Sequence, residues 1–255
     1  MFKRRLRDPR EITAAYDRLM PDPNGDGVSS ADVIIEAIFE NLEAKQALFR
    51  ELEVRARPDA VLASNTSSIR LERIREALAQ PQRLIGLHFF NPVAKLPLVE
   101  VIAASETDGD AIARGLAFVK TIGKLPLPCA SAPGFVVNRV LMPYLMEAFT
   151  LIQEGVDLGL IDRAATDFGM PVGPVELADT IGLDVCLLVS GVFAEEFALE
   201  VPTKLTQMVE AGQLGRKVGQ GFYRWEKGKP VITKSDRRVV PSVLGQRLVL
   251  PMLNE

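Results

Sequence analysis

The first 130 residues alternate short apolar runs with stretches of helical periodicity, and this alternation restricts the possible folds more than any other feature. The apolar runs predict strands at Val33–Ile38, Ala60–Ala63, Arg83–His88, Leu98–Ile102 and Pro126–Cys129. Helical spacing between them predicts helices at Asn41–Arg57, Arg70–Leu78 and Asp108–Ile122. Strands that alternate with helices in this way predict a mainly parallel, doubly wound sheet.

The alternation stops at Ser131-Ala-Pro-Gly134, and beyond it we recognise no strand. Helical patterns predict helices at Phe135–Glu154, Asp157–Phe168, Val175–Ile181, Asp184–Phe197 and Thr203–Ala211. The predicted fold class is therefore an α/β domain over residues 1–130 followed by an all-α domain over residues 131–240.

A weak internal repeat links the start of the helical domain to the last residues of the chain. The segment Arg139–Glu147 resembles Arg247–Glu255, with Arg, Pro, Leu and Glu in register. We therefore interpret residues 241–255 as the start of a second, truncated helical repeat.

Composition excludes several classes of function. The formal net charge of −3 provides no basic surface for nucleic acid, and charges interrupt every apolar run, so no membrane span is predicted. The two cysteines, Cys129 and Cys186, have neither the close spacing of metal ligands nor the number needed for a disulfide framework. We expect no metal site and a reducing compartment, the cytoplasm.

His88, the only histidine, follows a predicted strand and precedes Phe89-Phe-Asn-Pro92. Ligands of such sheets bind at the carboxyl ends of strands, and imidazole is the usual general base near neutral pH. Glu100 lies within the apolar run Leu98–Ile102, where a carboxylate needs a partner. If the two strands are neighbours, Glu100 can orient His88. A structural histidine and an outward-facing glutamate are the alternatives.

Two further polar groups occupy places suited to ligand binding. Ser64-Asn-Thr-Ser-Ser68 follows another predicted strand, where it can bind a polar ligand or cap the next helix. Asn138 lies in the first turns of the helix predicted at Phe135–Glu154, which we expect to face the cleft between the domains.

Two motif fragments fail closer inspection. Asp22-Pro-Asn-Gly-Asp-Gly27 imitates the start of a calcium loop, but Val33 occupies the position that requires a bidentate glutamate. Gly219-Gln-Gly221 lacks the third glycine and the following helix of a dinucleotide-binding loop. We interpret the first fragment as a turn and exclude the second as a cofactor site.

Taken together, the motifs resemble those of the 3-hydroxyacyl-CoA dehydrogenase family. They are SNTSSI at 64–69, GLHFFNPV at 86–93, LVEV at 98–101, PGFVVNR at 133–139, MPVGPVELADTIGLDV at 170–185 and GRKVGQGFY at 215–223. They follow the family's order from about Ala31 to the end of the chain. The later motifs and the repeat are most similar to the dehydrogenase part of the alpha subunit of the bacterial multifunctional fatty-acid oxidation complex.

The resemblance implies NAD as cofactor and oxidation of (S)-3-hydroxyacyl-CoA to 3-oxoacyl-CoA in fatty-acid beta-oxidation. It makes His88 the general base and Glu100 its partner, with Ser67 touching substrate and cofactor and Asn138 touching substrate. The remaining residues that it implies for the NAD site are Ile38, Phe39, Glu40, Lys45, Asn91 and Lys217. It also implies an acyl-CoA substrate and assembly as a homodimer or with a thiolase partner.

One departure from the family pattern concerns the cofactor site. A nicotinamide-binding domain of this class begins with a strand, a GxGxxG loop and a helix, and no GxGxxG occurs in the sequence. Met1–Met20 instead predicts a helix that would follow those elements. We therefore expect an N-terminally truncated Rossmann-like domain that starts roughly 30–50 residues late, the size of one βαβ unit.

Two other functions remain open on the sequence. A non-catalytic remnant or assembly module would retain the same motifs without a complete NAD site. An NAD enzyme acting on another small hydroxy acid would share the first domain, but the motifs of the helical domain favour acyl-CoA.

Overall fold

The computed structural model describes residues 8–197, 200–232 and 241–254. A five-stranded sheet contains the strands in chain order: β1 (Val33–Glu36), β2 (Val61–Ser64), β3 (Leu84–Phe89), β4 (Leu98–Ala103) and β5 (Leu125–Ala130). The five predicted strands are thus confirmed. Strands β1, β2 and β3 are parallel, β4 is antiparallel to β3, and β5 is parallel to β4.

The antiparallel pair is the one feature of the sheet that the alternation did not indicate. Residues 90–97 join β3 to β4 without a helix, and this connection is too short for the crossover that a parallel pair requires. Strand β4 therefore starts at the edge of the sheet where β3 ends, which places His88 opposite Glu100 in the register.

Helices cover both faces of the sheet. One face packs against α2 (Leu42–Arg55) and α3 (Leu71–Arg75), and the other packs against α4 (Gly109–Thr121). Asn41 and Asp108 cap α2 and α4 by accepting backbone N–H groups, which defines where these helices begin. A further helix, α1 (Pro9–Asp17), precedes the sheet and has no buried residue; residues 1–7 of the predicted first helix lie outside the described residues.

The second region begins with α5 (Val137–Gln153) and continues through four more helices that share one core. They are α6 (Leu158–Phe168), α7 (Pro174–Ile181), α8 (Leu183–Phe197) and α9 (Thr203–Glu210). Asp157 caps α6 and Gly169 ends it, as the sequence predicted. Short 3-10 helices are found at Asp26–Ser30, Pro81–Arg83 and Arg216–Val218.

The described residues of 131–240 form the predicted helical region, but they also contain a short hairpin that the sequence did not indicate. A hairpin of β6 (Arg224–Glu226) and β7 (Lys229–Val231) follows α9, with Lys227 and Gly228 at positive φ in its turn. Three-residue strands are too short to show a recognisable alternation, and the hairpin is held by tertiary contacts of Trp225.

Two buried aspartates attach this hairpin segment to the helices. Asp179 on α7 accepts the backbone N–H groups of Phe222 and Tyr223 and the indole N–H of Trp225, each at 2.9 Å. Asp162 on α6 accepts the hydroxyl of Tyr223 at 2.8 Å. Asp162 also accepts the backbone N–H groups of Val175 at 2.7 Å and Glu176 at 3.1 Å, so six donors meet the two carboxylates and four of them come from residues 222–225.

The last helix, α10 (Pro241–Leu253), packs against α5 and α6. Arg247 on α10 pairs with Glu147 and Glu154, the latter at 2.7 Å. Glu255, the final residue of the predicted repeat, lies outside the described residues. Within the described ranges no single helix is both long and apolar enough to cross a membrane; only the sharply bent pair of α7 and α8 passes, by length and composition alone.

Candidate active site

The polar residues predicted from sequence meet at one edge of the sheet. The parallel strands β1, β2 and β3 all end there, and each is followed by polar residues: Glu36 ends β1, residues 64–68 close β2, and His88 lies at the end of β3. Strand β4 starts at the same edge and contributes Glu100. We call residues 64–68 the serine loop.

His88 is held between a carboxylate and a hydroxyl. Its Nδ1 lies 2.7 Å from Oε2 of Glu100, and its Nε2 lies 3.0 Å from Oγ of Ser67. The side chain of His88 is 5% exposed, and the rings of Phe90 and Phe135 pack against it at centroid distances of 4.6 and 5.6 Å. These contacts leave the ring little freedom to rotate.

Glu100 is fully buried yet well satisfied as a carboxylate. Besides His88, it accepts the backbone N–H groups of Val136 at 2.9 Å and Val137 at 2.8 Å through Oε1. These groups form the N-terminus of α5, where unpaired N–H groups and the helix dipole favour a negative charge. One carboxylate therefore connects the imidazole to the start of the helical region.

A second cluster of charges lies behind the serine loop. The ammonium of Lys45, 1% exposed, donates to Glu36 at 2.6 Å and approaches Glu40 at 3.2 Å. Glu36 also accepts from the hydroxyl of Ser64 at 2.6 Å and the N–H of Ile38 at 2.8 Å. The cluster ties the ends of β1 and β2 to the first turns of α2.

The remaining predicted site residues divide into two groups. Asn138 reaches the serine loop, with Nδ2 3.5 Å from the carbonyl of Ser67, while Asn91, Ile38 and Phe39 are exposed at the same edge of the sheet. Lys217 is placed elsewhere.

Lys217 forms an ion pair with Asp184 at 2.5 Å in the helical region. Burial opposes ionisation of Asp184, but the hydrogen bond and charge of Lys217 outweigh it and lower the pKa of that carboxyl. Among the contacts of the described residues, none joins Lys217 to the His88 cluster.

Sequence reasoning missed two contributors to this site, Glu36 and Phe135. Glu36 carried the same signal as Glu100, a carboxylate in an apolar strand, and could have been found by it. Phe135 carried no separate signal, because its role depends on its contact with the imidazole; Thr66 was predicted only as part of the serine loop, without its contact to Glu40. Phe135 has φ 52° and a buried side chain, a conformation that non-glycine residues rarely adopt.

The residues at this edge of the sheet meet only part of what a bound dinucleotide needs. The exposed apolar side chains of Ile38 and Phe39, the latter 71% exposed, lie beside the serine loop and suit the flat rings of such a cofactor. Within residues 8–197, 200–232 and 241–254, no glycine-rich turn links a strand to a helix at this edge. The described residues therefore fit the ring-binding part of the site and not the pyrophosphate cradle.

Similarity to known proteins shows to which class of protein the chain belongs. Residues 1–132 match the family described as 3-hydroxyacyl-CoA dehydrogenase, NAD binding domain, and residues 134–225 match the corresponding C-terminal domain. This class comprises NAD-dependent oxidoreductases. The chain belongs to the 3-hydroxyacyl-CoA dehydrogenase family.

Individual relatives agree with this placement. The fatty acid oxidation complex subunit alpha of Pseudomonas aeruginosa is 40% identical over 229 residues, which cover 87% of this chain and 32% of that protein. The chain thus spans about a third of the length of this curated relative.

Among solved structures, FadB2 of M. tuberculosis has a TM-score of 0.83 at 41% identity, covering 86% of this chain and 79% of that one. (S)-3-hydroxybutyryl-CoA dehydrogenase PaaH1 of Ralstonia eutropha has a TM-score of 0.82 at 35% identity, covering 89% and 82%.

Proposed function

We propose that this chain carries the reaction centre for NAD-dependent oxidation of (S)-3-hydroxyacyl-CoA to 3-oxoacyl-CoA. The observation that supports this most is the arrangement of His88 between the Glu100 carboxylate and the Ser67 hydroxyl. Secondary-alcohol oxidation requires a base for the hydroxyl proton, and imidazole is well suited to that role.

Glu100 determines which ring nitrogen acts. As an ionised acceptor 2.7 Å from Nδ1, it favours the tautomer with a proton on Nδ1 and leaves the lone pair on Nε2. When Nε2 takes the proton of the substrate hydroxyl, the imidazole becomes cationic, and the same carboxylate stabilises that charge. Ser67 and Asn138 then orient the substrate oxygen beside Nε2, with Ser67 also touching the cofactor.

Bound NAD would supply the hydride acceptor. Ile38 and Phe39 would contact its rings, and Asn91 would contribute at the end of β3. For Glu40 and Lys45 the resemblance implies cofactor contacts, but their hydrogen bonds favour a structural contribution to the same site. Lys217 would need to leave Asp184 to participate.

The direct test follows the oxidation of NADH by acetoacetyl-CoA through absorbance. This chain is assayed beside a form that carries a strand, a GxGxxG loop and a helix ahead of Met1. Turnover in either form, abolished in the His88→Gln variant, supports the proposal. Two folded forms without turnover would remove it.

In that case the second candidate, a non-catalytic assembly module, becomes the better description. The exposed apolar side chains of Leu19, Met20 and Phe39 favour it, because they lie near α1 and β1 on the surface. Co-purification of a stoichiometric partner with a folded, inactive chain would support it.

The resemblance to this family also supports proposals on the partners, the compartment and the domain bounds of the chain. The relatives are named as subunits of fatty acid oxidation complexes, so we propose a thiolase partner or a homodimer, in the cytoplasm. We also propose three units, residues 1–130, 131–240 and 241–255, the last as the first helix of a further helical repeat. Analytical ultracentrifugation with and without a candidate thiolase tests whether the chain binds thiolase or forms a homodimer.

A further inference from the structure

We infer that Glu40 is a positioning residue: it holds the serine loop in the conformation that brings the Ser67 hydroxyl to Nε2 of His88. Its value for catalysis rests on the proposed function, whereas the geometry can be tested without any turnover. The resemblance implied a different role for this residue, a direct contact with NAD.

The contacts of one carboxylate oxygen carry the inference. Oε1 of Glu40 accepts the hydroxyl of Thr66 at 2.5 Å and the hydroxyl of Ser68 at 2.9 Å. It also accepts the backbone N–H groups of Ser67 and Ser68, both at 3.0 Å. Three consecutive residues of the loop are thus gathered around a single atom, and the middle one is the residue that meets His88.

The other carboxylate oxygen of Glu40 contacts Lys45, on the side away from the serine loop. Oε2 lies 3.2 Å from the ammonium of Lys45, which is itself bound to Glu36 at the end of β1. Since Lys45 is on α2 and Glu36 is on the sheet, the position of Glu40 is set by two elements that do not belong to the loop. The contacts from Glu36 through Lys45 and Glu40 therefore fix where Ser67 lies relative to the sheet.

The charge state of Glu40 suits this role. Its side chain is 23% exposed, so burial opposes ionisation. The hydrogen bonds from Thr66 and Ser68 and the charge of Lys45 outweigh that burial and lower the pKa of the carboxyl. A carboxylate in the ionised form accepts at both oxygens, which is what the loop on one side and Lys45 on the other require.

A direct contact with the cofactor competes with this arrangement. Both oxygens of Glu40 already have partners on the chain. Turning the carboxylate toward a ribose hydroxyl would release the N–H groups of Ser67 and Ser68 and free the loop. The two roles therefore predict different consequences for the imidazole when Glu40 is changed.

The only histidine of the chain makes this testable in the protein as it exists. We would record the ring-nitrogen signals of His88 by ¹H–¹⁵N NMR at one fixed pH, using ¹⁵N-labelled protein without a histidine tag. Ser67→Ala marks the displacement caused by losing the hydrogen bond to Nε2. Glu40→Gln is the test variant, because a glutamine amide has one acceptor oxygen. It cannot accept hydrogen bonds from the serine loop and from Lys45 at the same time. Glu43→Gln, exposed in the first turn of α2, is the matched control.

We expect Glu40→Gln to displace the Nε2 signal in the direction of Ser67→Ala, while Glu43→Gln coincides with wild type. A wild-type imidazole spectrum for Glu40→Gln, beside a displaced spectrum for Ser67→Ala, overturns the inference. If Glu40→Gln does not fold, Ser68→Ala removes one donor to Oε1 and should give a smaller displacement in the same direction; no displacement there overturns it too.

Kinetics separate this inference from the proposed function. In a form that turns over, loss of positioning lowers kcat and leaves the KM for NADH near its wild-type value. An increase confined to the KM for NADH would instead assign Glu40 to the cofactor. If no form turns over, the proposed function fails, and the NMR comparison still decides whether Glu40 positions Ser67.

Discussion

Glu100 connects the imidazole of His88 to the first turn of α5. One oxygen lies 2.7 Å from Nδ1 of His88, and the other accepts the backbone N–H groups of Val136 and Val137. The imidazole of His88 and the start of the helical region are therefore held by the same buried carboxylate. Any movement of α5 relative to the sheet would change the orientation of His88.

Replacing His88 by Gln should abolish hydride transfer while leaving NADH binding nearly unchanged. Gln retains a polar side chain but cannot serve as a base near neutral pH, so the rate should fall roughly 10²-fold or more. Stopped-flow absorbance for turnover and NADH fluorescence for binding measure the two effects. Rapid turnover by this variant would remove His88 from its proposed role.

Two substitutions at Glu100 should separate orientation from stability. Glu100→Gln keeps an acceptor for the N–H groups of α5 but places an amide against Nδ1, so activity should fall with little loss of stability. Glu100→Ala leaves buried N–H groups without a partner, at a cost of about 1–3 kcal/mol each. Urea denaturation beside the activity assay measures both. Equal stability of the two variants would contradict this account.

Lys45→Met should destabilise the fold strongly. Removing the ammonium leaves Glu36 buried without its cation, and breaking one half of a buried ion pair costs about 3–5 kcal/mol. Lys120→Met, at an exposed position on α4, serves as control and should cost far less. Thermal unfolding of both variants checks the difference, and similar values for the two would argue against a structural role of Lys45.

Asp162 should make stability depend on pH. Burial raises the pKa of this carboxyl from 3.8 to about 6, because hydrogen bonds from Tyr223, Val175 and Glu176 only partly compensate. With its folded value above its unfolded value, it contributes stability that is fully present below about pH 4 and is lost as the pH rises through about 6. This rise in pKa, from 3.8 to about 6, corresponds to about 3 kcal/mol.

The pH effect is isolated by comparison with Asp162→Asn, which cannot titrate. The difference in unfolding free energy between wild type and variant should change between about pH 4 and 6 and be flat above that range. A difference independent of pH would show that the carboxyl titrates at its ordinary value.

Gly221→Ala should loosen the hairpin segment. A methyl group at residue 221 would overlap the carboxylate of Asp179, which accepts three hydrogen bonds from residues 222–225. Such overpacking typically costs about 1–3 kcal/mol. Gly109→Ala, where a methyl group meets nothing within 4 Å, is the control. Calorimetry compares the two, and tryptophan fluorescence reports directly on Trp225.

The sequence by itself determined the five strands of the sheet and most of the helices, and it indicated His88 as the candidate base. Apolar runs and helical spacing are local features, so they can be read without knowledge of the fold. His88 was a clear candidate because it is the only histidine and lies at the end of β3. The carboxylate of Glu100 was recognisable for the same reason, since a charge inside an apolar strand demands a partner.

Only the tertiary structure decided which groups meet. The antiparallel direction of β4 brings Glu100 to His88, and the packing of α2 brings Lys45 and Glu40 to the serine loop. The hairpin at 224–231 and its attachment to Asp179 likewise depend on segments far apart in the chain. A local pattern does not determine which strands are neighbours or which side chains meet in a hydrogen bond, because both are set by how distant segments pack.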